Sequence, residues 1–340
     1  MASNNFDIKE LNNFKKISYE LGKNNQLVQA AGGNTSIKSE NSILIKASGK
    51  WLINSLKKDI FVELNLTSIK NKINKSKDDN FLNDIISNNN LRPSTETSFH
   101  GLINYKYVLH VHSTSTIANS IYLDSEKLLK KLLGNDIVYV PYVRPGFPLT
   151  MIMKDLINNN SKVIILENHG LIVAGNVLNE TYELLLETHN KLDKIINNIE
   201  KDLIDQKFLK IPEYIQKNNH KYNIFKTNNE NLLLTFSKSF YPDHVIFLGP
   251  GIPLFKSPED ANKFISNLSN KKIQLPPYLI VNHFGLFENN NVVPASREML
   301  DCFIEVLLRI DFNRNQKYLT NEQENELLNW DAEIYRQSIN

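Results

Sequence analysis

Tyr107-Val108-Leu109-His110-Val111-His112 is the stretch that decides how this chain is read. Tyr107, Val108, Leu109 and Val111 give it strand character. In a strand, alternate side chains share a face. His110 and His112 therefore point the same way, with Cα atoms about 6–7 Å apart. Two imidazoles so placed can converge on one divalent cation. The same spacing also suits two histidines packed in a core strand, so the pair needs company before it means chemistry.

Around this strand the coarse pattern is mixed. Ile8 to Gly22 predicts a helix, with Leu11, Phe14, Ile17 and Leu21 near helical spacing and Gly22 as a stop. Ala30-Ala31-Gly32-Gly33-Asn34 is a turn leading into a strand over Thr35 to Lys38. Ser42 to Lys46 and Asp59 to Leu64 predict two more strands. Asn71 to Asn90 is polar and rich in Lys and Asn, which predicts a surface excursion. Thr95 to Asn104 reads as a helix, followed by the strand Val108 to His112. Ser115 to Ser120 and Ser125 to Leu133 read as helices. Ile137 to Val140, Val163 to Leu166 and Leu171 to Ala174 read as strands, and Asn179 to Asp202 as one long helix. Strands clustered in the middle with helices on either side predict an α/β domain with a largely antiparallel sheet, not alternating βαβ units.

The pattern weakens near residues 203–230, where a domain boundary is expected. This gives one domain over 1–205 and a smaller C-terminal α/β domain over 206–340. In the latter, Asn231 to Phe236 and Tyr278 to Asn282 predict strands, and Pro258 to Leu268 and Ala295 to Ile310 helices. A chain of 340 residues accommodates two such domains.

Composition excludes several classes. The 39 basic and 37 acidic side chains leave a formal net charge of +2, so no general attraction to nucleic acid or membrane is implied. Cys302 is the single cysteine, which rules out an internal disulfide and a thiolate metal site. Met1 to Lys23 lacks the basic-then-apolar pattern of a signal peptide, and no run reaches membrane-spanning length. A cytoplasmic location is the expectation.

A catalytic zinc site typically has three protein ligands and an open position. The third candidate is His169, in Glu167-Asn168-His169-Gly170 between two apolar strands, although a plain turn histidine would look the same. Glu96 lies in Arg92-Pro93-Ser94-Thr95-Glu96, where a helix begins. Ser94 or Thr95 could cap that helix, and an early carboxylate suits its dipole. Gly32-Gly33-Asn34-Thr35-Ser36 and Ala47-Ser48-Gly49 offer backbone N–H groups and short polar side chains, the makings of anion nests. Together with the Ser94-Thr95 helix start they could grip a phosphate or carboxylate.

The order of these five motifs over residues 10–200, ending in Glu167-Asn168-His169-Gly170-Leu171-Ile172-Val173-Ala174-Gly175, resembles the class II aldolase/adducin superfamily. The resemblance implies that His110, His112 and His169 bind a divalent metal, with Zn2+ expected and Mn2+ or Co2+ as alternatives. It implies that Glu96 is the catalytic acid/base and that Asn34, Ser48, Gly49, Ser94 and Thr95 bind the substrate's phosphate. The activity it implies is carbon–carbon bond cleavage or formation in a sugar phosphate through a metal-stabilised enediolate. The small-molecule partner would be a sugar phosphate or sugar acid, and the assembly a homo-oligomer, a tetramer in many members. The superfamily also holds decarboxylases, an epimerase, a dehydratase and non-catalytic adducin-like scaffolds.

Three later stretches, Tyr241-Pro242-Asp243-His244-Val245, Leu279 to Phe287 and Trp330-Asp331-Ala332-Glu333-Ile334-Tyr335-Arg336, resemble the aldolase half of bifunctional rhamnulose-phosphate aldolase/alcohol dehydrogenases. No Gly-x-Gly-x-x-Gly follows a strand, so no dinucleotide site is expected. Where the family often has an aromatic residue after the catalytic glutamate, this chain has Thr97-Ser98-Phe99-His100. Some members use a tyrosine from a neighbouring subunit. Tyr139 and Tyr142 lie in a suitable region but read more naturally as core residues. His100 could orient Glu96 from the same helix face, although a packing role is simpler. Lys46, Lys50 and Arg144 flank the site and could neutralise an anionic substrate. His189, His220, His244 and His283 read as structural.

Overall fold

The structure is a computed structural model and describes residues 5–75, 80–198 and 208–338. A seven-stranded sheet is built from β1 (Asn34–Lys38), β2 (Ser42–Lys46), β3 (Phe61–Asn65), β4 (Tyr107–Val111), β5 (Val138–Val140), β6 (Val163–Leu166) and β7 (Gly170–Gly175). Their spatial order is β3-β2-β1-β4-β7-β6-β5. Every pairing is antiparallel except β5 with β6. This is the mixed, mostly antiparallel architecture expected from the sequence. The helix Ile8–Lys23 lies on one face, N-capped by the Asp7 side chain, which accepts from Glu10 N. It buries Leu11, Phe14 and Leu21 against the sheet residues Ile37, Leu109 and Val173.

The second, smaller sheet has β8 (Tyr214–Gln216), β9 (Leu254–Phe255), β10 (Tyr278–Val281) and β11 (Gly285–Asn289) in the order β8-β11-β10-β9. The largest apolar core joins the two regions. Ile117, Ala118 and Ile121 of the helix Thr114–Ser120 pack with Phe240, Tyr241, Phe303 and Leu307. The boundary expected at 205/206 falls within 199–207, outside the described residues.

Two expectations are corrected. The long helix Asn179 to Asp202 is Leu178–Leu192, and residues 193–198 are not helical. The Asp193 carboxylate takes Arg309 Nε at 2.6 Å, and the N–H groups of Ile196 and Asn197 donate to Leu308 O. These bonds to a buried helix draw the chain off its own axis. Its last expected residues, 199–202, are not described. Asn231 to Phe236 is a helix, Glu230–Phe236, because Asn229 caps it by accepting from Asn231 N and Leu232 N. The polar stretch 71–90 lies mostly at the surface, as expected. Ile69 and Ile73 anchor the helix Leu66–Asn74, and a buried Asp84 pairs with Lys72 at 2.6 Å; residues 76–79 are not described.

β4 is the centre of the large sheet. Within it His110 pairs with Asn34 on one side and Ile172 on the other. Cross-strand partners share a face, so the sheet register alone brings the Gly-Gly-Asn-Thr-Ser turn and the histidine strand to one place.

Candidate metal centre

His110, His112 and His169 meet. One ring nitrogen from each lies within 4.8 Å of the others, and all three residues are buried. Their ring centroids are 5.0–5.1 Å apart. His110 comes from β4, and His112 is one residue beyond its end. His169 comes from the β6–β7 turn, where Asn168 adopts a left-handed φ of 53°, a conformation asparagine tolerates better than most residues. Gly170 is required by close approach, since a Cβ there would stand 2.3 Å from Val111 O. The Asn168 side chain donates to Phe240 O and Lys317 O, and Glu167 accepts from Lys317 Nζ. The turn that presents His169 is thus tied to the C-terminal region.

The ring states suit a cation. His110 Nδ1 lies 3.1 Å from Leu171 O and donates to it, which leaves Nε2 as a lone pair. That atom is buried without a hydrogen-bond partner, 3.5 Å from Glu96 Oε2. Burial pushes His110 down to about 4, with the nearby Glu96 charge only partly opposing it, and burial holds His169 well below the usual histidine range. Both are neutral at pH 7, the form that binds metal. His112 lies between Gly33 N–H, a long 3.4 Å from Nε2, and Asp243 Oδ2, 3.0 Å from Nδ1. A cation on Nε2 would replace the weaker of these contacts. Glu96 Oε1 and Asp243 Oδ2 are also buried without an aligned hydrogen bond. Buried polar atoms are rarely left unpaired in this way. Three imidazoles around one point, with the Glu96 carboxylate beside two of them, fit a divalent ion.

Glu96 is not a first-turn carboxylate. It is the N-cap residue of the helix Thr97–Leu102, and its side chain caps nothing. Ser94 Oγ accepts from Glu96 N instead. The Glu96 carboxylate turns to the histidines, with Oε1 3.4 Å from His169 Nε2. Asn34 Nδ2 donates to its other oxygen at 2.6 Å. Asn34 Oδ1 in turn accepts from His100 Nε2, and His100 Nδ1 lies 2.7 Å from Ser36 Oγ. His100 therefore orients Glu96, but through Asn34 rather than by direct contact.

Glu96, His112 and His169 line one pocket together with Asn34, Ser48, Gly49, Ser94 and Thr95. Buried Lys46 lines it too, donating to Ala31 O at 2.6 Å, and burial lowers it to about 7. Lys50 and Arg144 are not among the lining residues, and Arg144 stacks over Trp330. Tyr139 and Tyr142 are not among them either. The Tyr139 hydroxyl donates to Glu167, and Tyr142 packs on the largest core. His189 is held by Ser113 and Ser115, and His244 is fully buried.

The sequence reading missed three groups in this pocket: Asp243, Glu333 and Arg336. Arg336 bridges the Asp243 and Glu333 carboxylates. All three lie in the late stretches Tyr241–Val245 and Trp330–Arg336.

Residues 16–193 match the class II aldolase and adducin N-terminal domain family. The chain belongs to that family. It is 27% identical over 195 residues to the uncharacterized oxidoreductase YuxG of Bacillus subtilis, covering 52% of this chain but only 28% of that protein. It is 28% identical over 202 residues to the L-fuculose phosphate aldolase of Methanococcus vannielii, covering 56% and 99%. Among solved structures, the N-terminal class II aldolase domain of a conserved protein from Thermoplasma acidophilum is 24% identical, with a TM-score of 0.49 over 56% of this chain and 95% of that one. Among the described residues, no helix is long and apolar enough to cross a membrane.

Proposed function

We propose that this protein is a divalent-metal-dependent lyase that makes or breaks a carbon–carbon bond in a sugar phosphate, with His110, His112 and His169 as metal ligands and Zn2+ as the metal. The observation that carries this is the meeting of three buried imidazoles beside Glu96, which with His112 and His169 lines the pocket formed by the Gly32–Asn34, Ser48-Gly49 and Ser94-Thr95 turns. A cation held there supplies Lewis-acid stabilisation for negative charge on the substrate oxygens.

The chain's own residues do the rest. Glu96 gives or takes the proton at the carbon beside the carbonyl. Asn34, itself fixed by His100, holds the carboxylate in place for that transfer. Ser48, Gly49, Ser94 and Thr95, with Asn34, bind the phosphate through side-chain and backbone donors, so binding energy remote from the reacting bond positions it. Lys46 adds positive charge on the same side. The similarity to a curated L-fuculose phosphate aldolase supports a ketose phosphate as substrate. We place the protein in the cytoplasm as a homo-oligomer, with a catalytic domain over 1–205 and a smaller domain over 206–340.

The test is a panel of ketose phosphates and sugar-acid phosphates incubated with the zinc-, manganese- or cobalt-loaded protein. Release of an aldehyde supports the lyase reading. Release of carbon dioxide, or inversion without cleavage, would replace it with a related activity. A purified protein that binds no metal and turns over nothing would be a scaffold.

A further inference from the structure

An aldol reaction moves two protons around one carbon–carbon bond, one at the carbon of the ketone half and one at the oxygen of the aldehyde half. Glu96 accounts for the first. Of the two other carboxylates that line the pocket, Asp243 faces His112 Nδ1 and Arg336, which leaves Glu333. Glu333 is 4% exposed and lines the pocket with Glu96 and His169. It uses only one oxygen, which accepts from Arg336 Nη1 at 3.0 Å, while Oε2 is buried without a hydrogen-bond partner. Resting on the lyase reading above, we propose that Glu333 is the second acid–base catalyst of this pocket and exchanges a proton with the oxygen of the aldehyde half.

A purely structural role explains Glu333 poorly. Arg336 already pairs with Asp243, so a second buried carboxylate is not needed to neutralise it. An unpaired buried carboxylate oxygen is costly and is retained here where a substrate would lie. The helix that carries it, Asp331–Ser338, is firmly held. Arg336 binds Asp243, Gln337 donates to Ile246 O, and Arg92 stacks over Tyr335 at 4.3 Å. Just before the helix, Trp330 is covered by Arg144, also at 4.3 Å. Glu333 is thereby fixed as a wall of the pocket. Burial, together with the Asp243 and Glu96 charges and against the pull of Arg336 and His112, pushes Glu333 up to about 7. That is a useful value for a group that must donate and recover a proton near neutrality.

The step balances. In the condensing direction, the Glu96 carboxylate takes a C–H proton from the ketone half. The electron pair left on that carbon forms the new bond to the aldehyde carbon. The carbonyl π pair of the aldehyde takes the Glu333 proton and becomes a hydroxyl. Cleavage is the reverse, and the two carboxyls re-equilibrate their proton through solvent.

The experiment separates the two transfers. Zinc-loaded protein is incubated in D2O with dihydroxyacetone phosphate alone, and C–H exchange is followed by NMR. The same protein is then given glycolaldehyde, and condensation is followed. Glu333→Gln should keep its zinc and its exchange, and lose about 10²–10⁴-fold in condensation. Glu333→Asp, which keeps the acid with a shorter reach, should recover part of the loss. Equal loss of exchange and condensation would make Glu333 a structural wall, and no loss of either would make it a bystander; both overturn the proposal. If Glu333→Gln does not fold, the aspartate variant decides, with slowed condensation and normal exchange expected. Absence of exchange in the unaltered protein would remove the lyase reading itself, and this proposal with it.

Discussion

Asp243 Oδ2 stands 3.0 Å from His112 Nδ1, and its other oxygen is held by Arg336. Burial alone would raise the Asp243 pKa, but Arg336 and His112 outweigh it and keep the carboxylate well below its ordinary range. A charged carboxylate beside the second nitrogen of a metal-binding histidine fixes the ring and makes it a better donor. Asp243 lies 50 residues beyond the family match, which ends at residue 193. The C-terminal region therefore reaches into the centre that the family domain builds. Asp243→Asn should lower zinc affinity about 10–100-fold, read by competition with a chromogenic chelator, with an unchanged circular dichroism spectrum. An unaltered affinity would make the contact incidental.

Gly32 sits where His112 and Asp243 approach each other. A Cβ there would be 2.8 Å from His112 Nδ1, 2.9 Å from Asp243 Oδ2 and 3.0 Å from Gln29 O. The glycine is needed for space, since its φ is not among the positive ones. Gly32→Ala should weaken zinc binding at least as much as Asp243→Asn, because it displaces both groups. Isothermal titration with zinc checks this, and wild-type affinity would show that the turn can yield.

Part of the histidine cluster was legible from a short-range rule: period-two alternation put His110 and His112 on one face. His169 read equally as a turn histidine, and it joined the pair only through the resemblance in motif order to the class II aldolase/adducin superfamily. The sheet order was legible in kind, since strands grouped without intervening helices imply antiparallel pairing. The helix ends were not. Leu192 ends its helix because Asp193 meets Arg309, a residue 116 positions away. The leucine run at 232–234 reads equally as strand or helix until Asn229 is counted as a cap. Asp243, Glu333 and Arg336 were illegible as a set because they come together only by tertiary packing, through Asn168 and the shared core.

His100 offers a test of positioning at one remove from Glu96. It holds Asn34, and Asn34 holds Glu96. Replacing it by leucine should let the Glu96 carboxylate wander while leaving Ser48, Gly49, Ser94 and Thr95 in place. The expected outcome is a fall in kcat of about tenfold or more that exceeds any rise in KM for the sugar phosphate, to which Asn34 also contributes. A rise in KM at constant kcat would instead assign His100 to substrate binding.

His244 provides a pH dependence separate from the metal ligands. It is fully buried against Tyr241 and Phe303, and neither ring nitrogen has a hydrogen-bond partner. Burial pushes it down to about 3, against an ordinary value of about 6.5 in the unfolded chain. Between these values the unfolded chain holds the extra proton, so stability rises with pH. The contribution is intact above the ordinary value and is lost as pH falls toward the folded one. At pH 5 the loss from this one residue is about 2 kcal/mol. His100, His110 and His169 add to the acid sensitivity with the same sign, so the slope for the intact protein is not informative about any one of them. The difference is. His244→Leu removes the titration and leaves the other three, so the pH dependence of Tm between pH 7 and 5 should flatten by the share of one proton. Parallel curves for the two proteins would mean that His244 is protonated in the fold and that a compensating partner sits beside it.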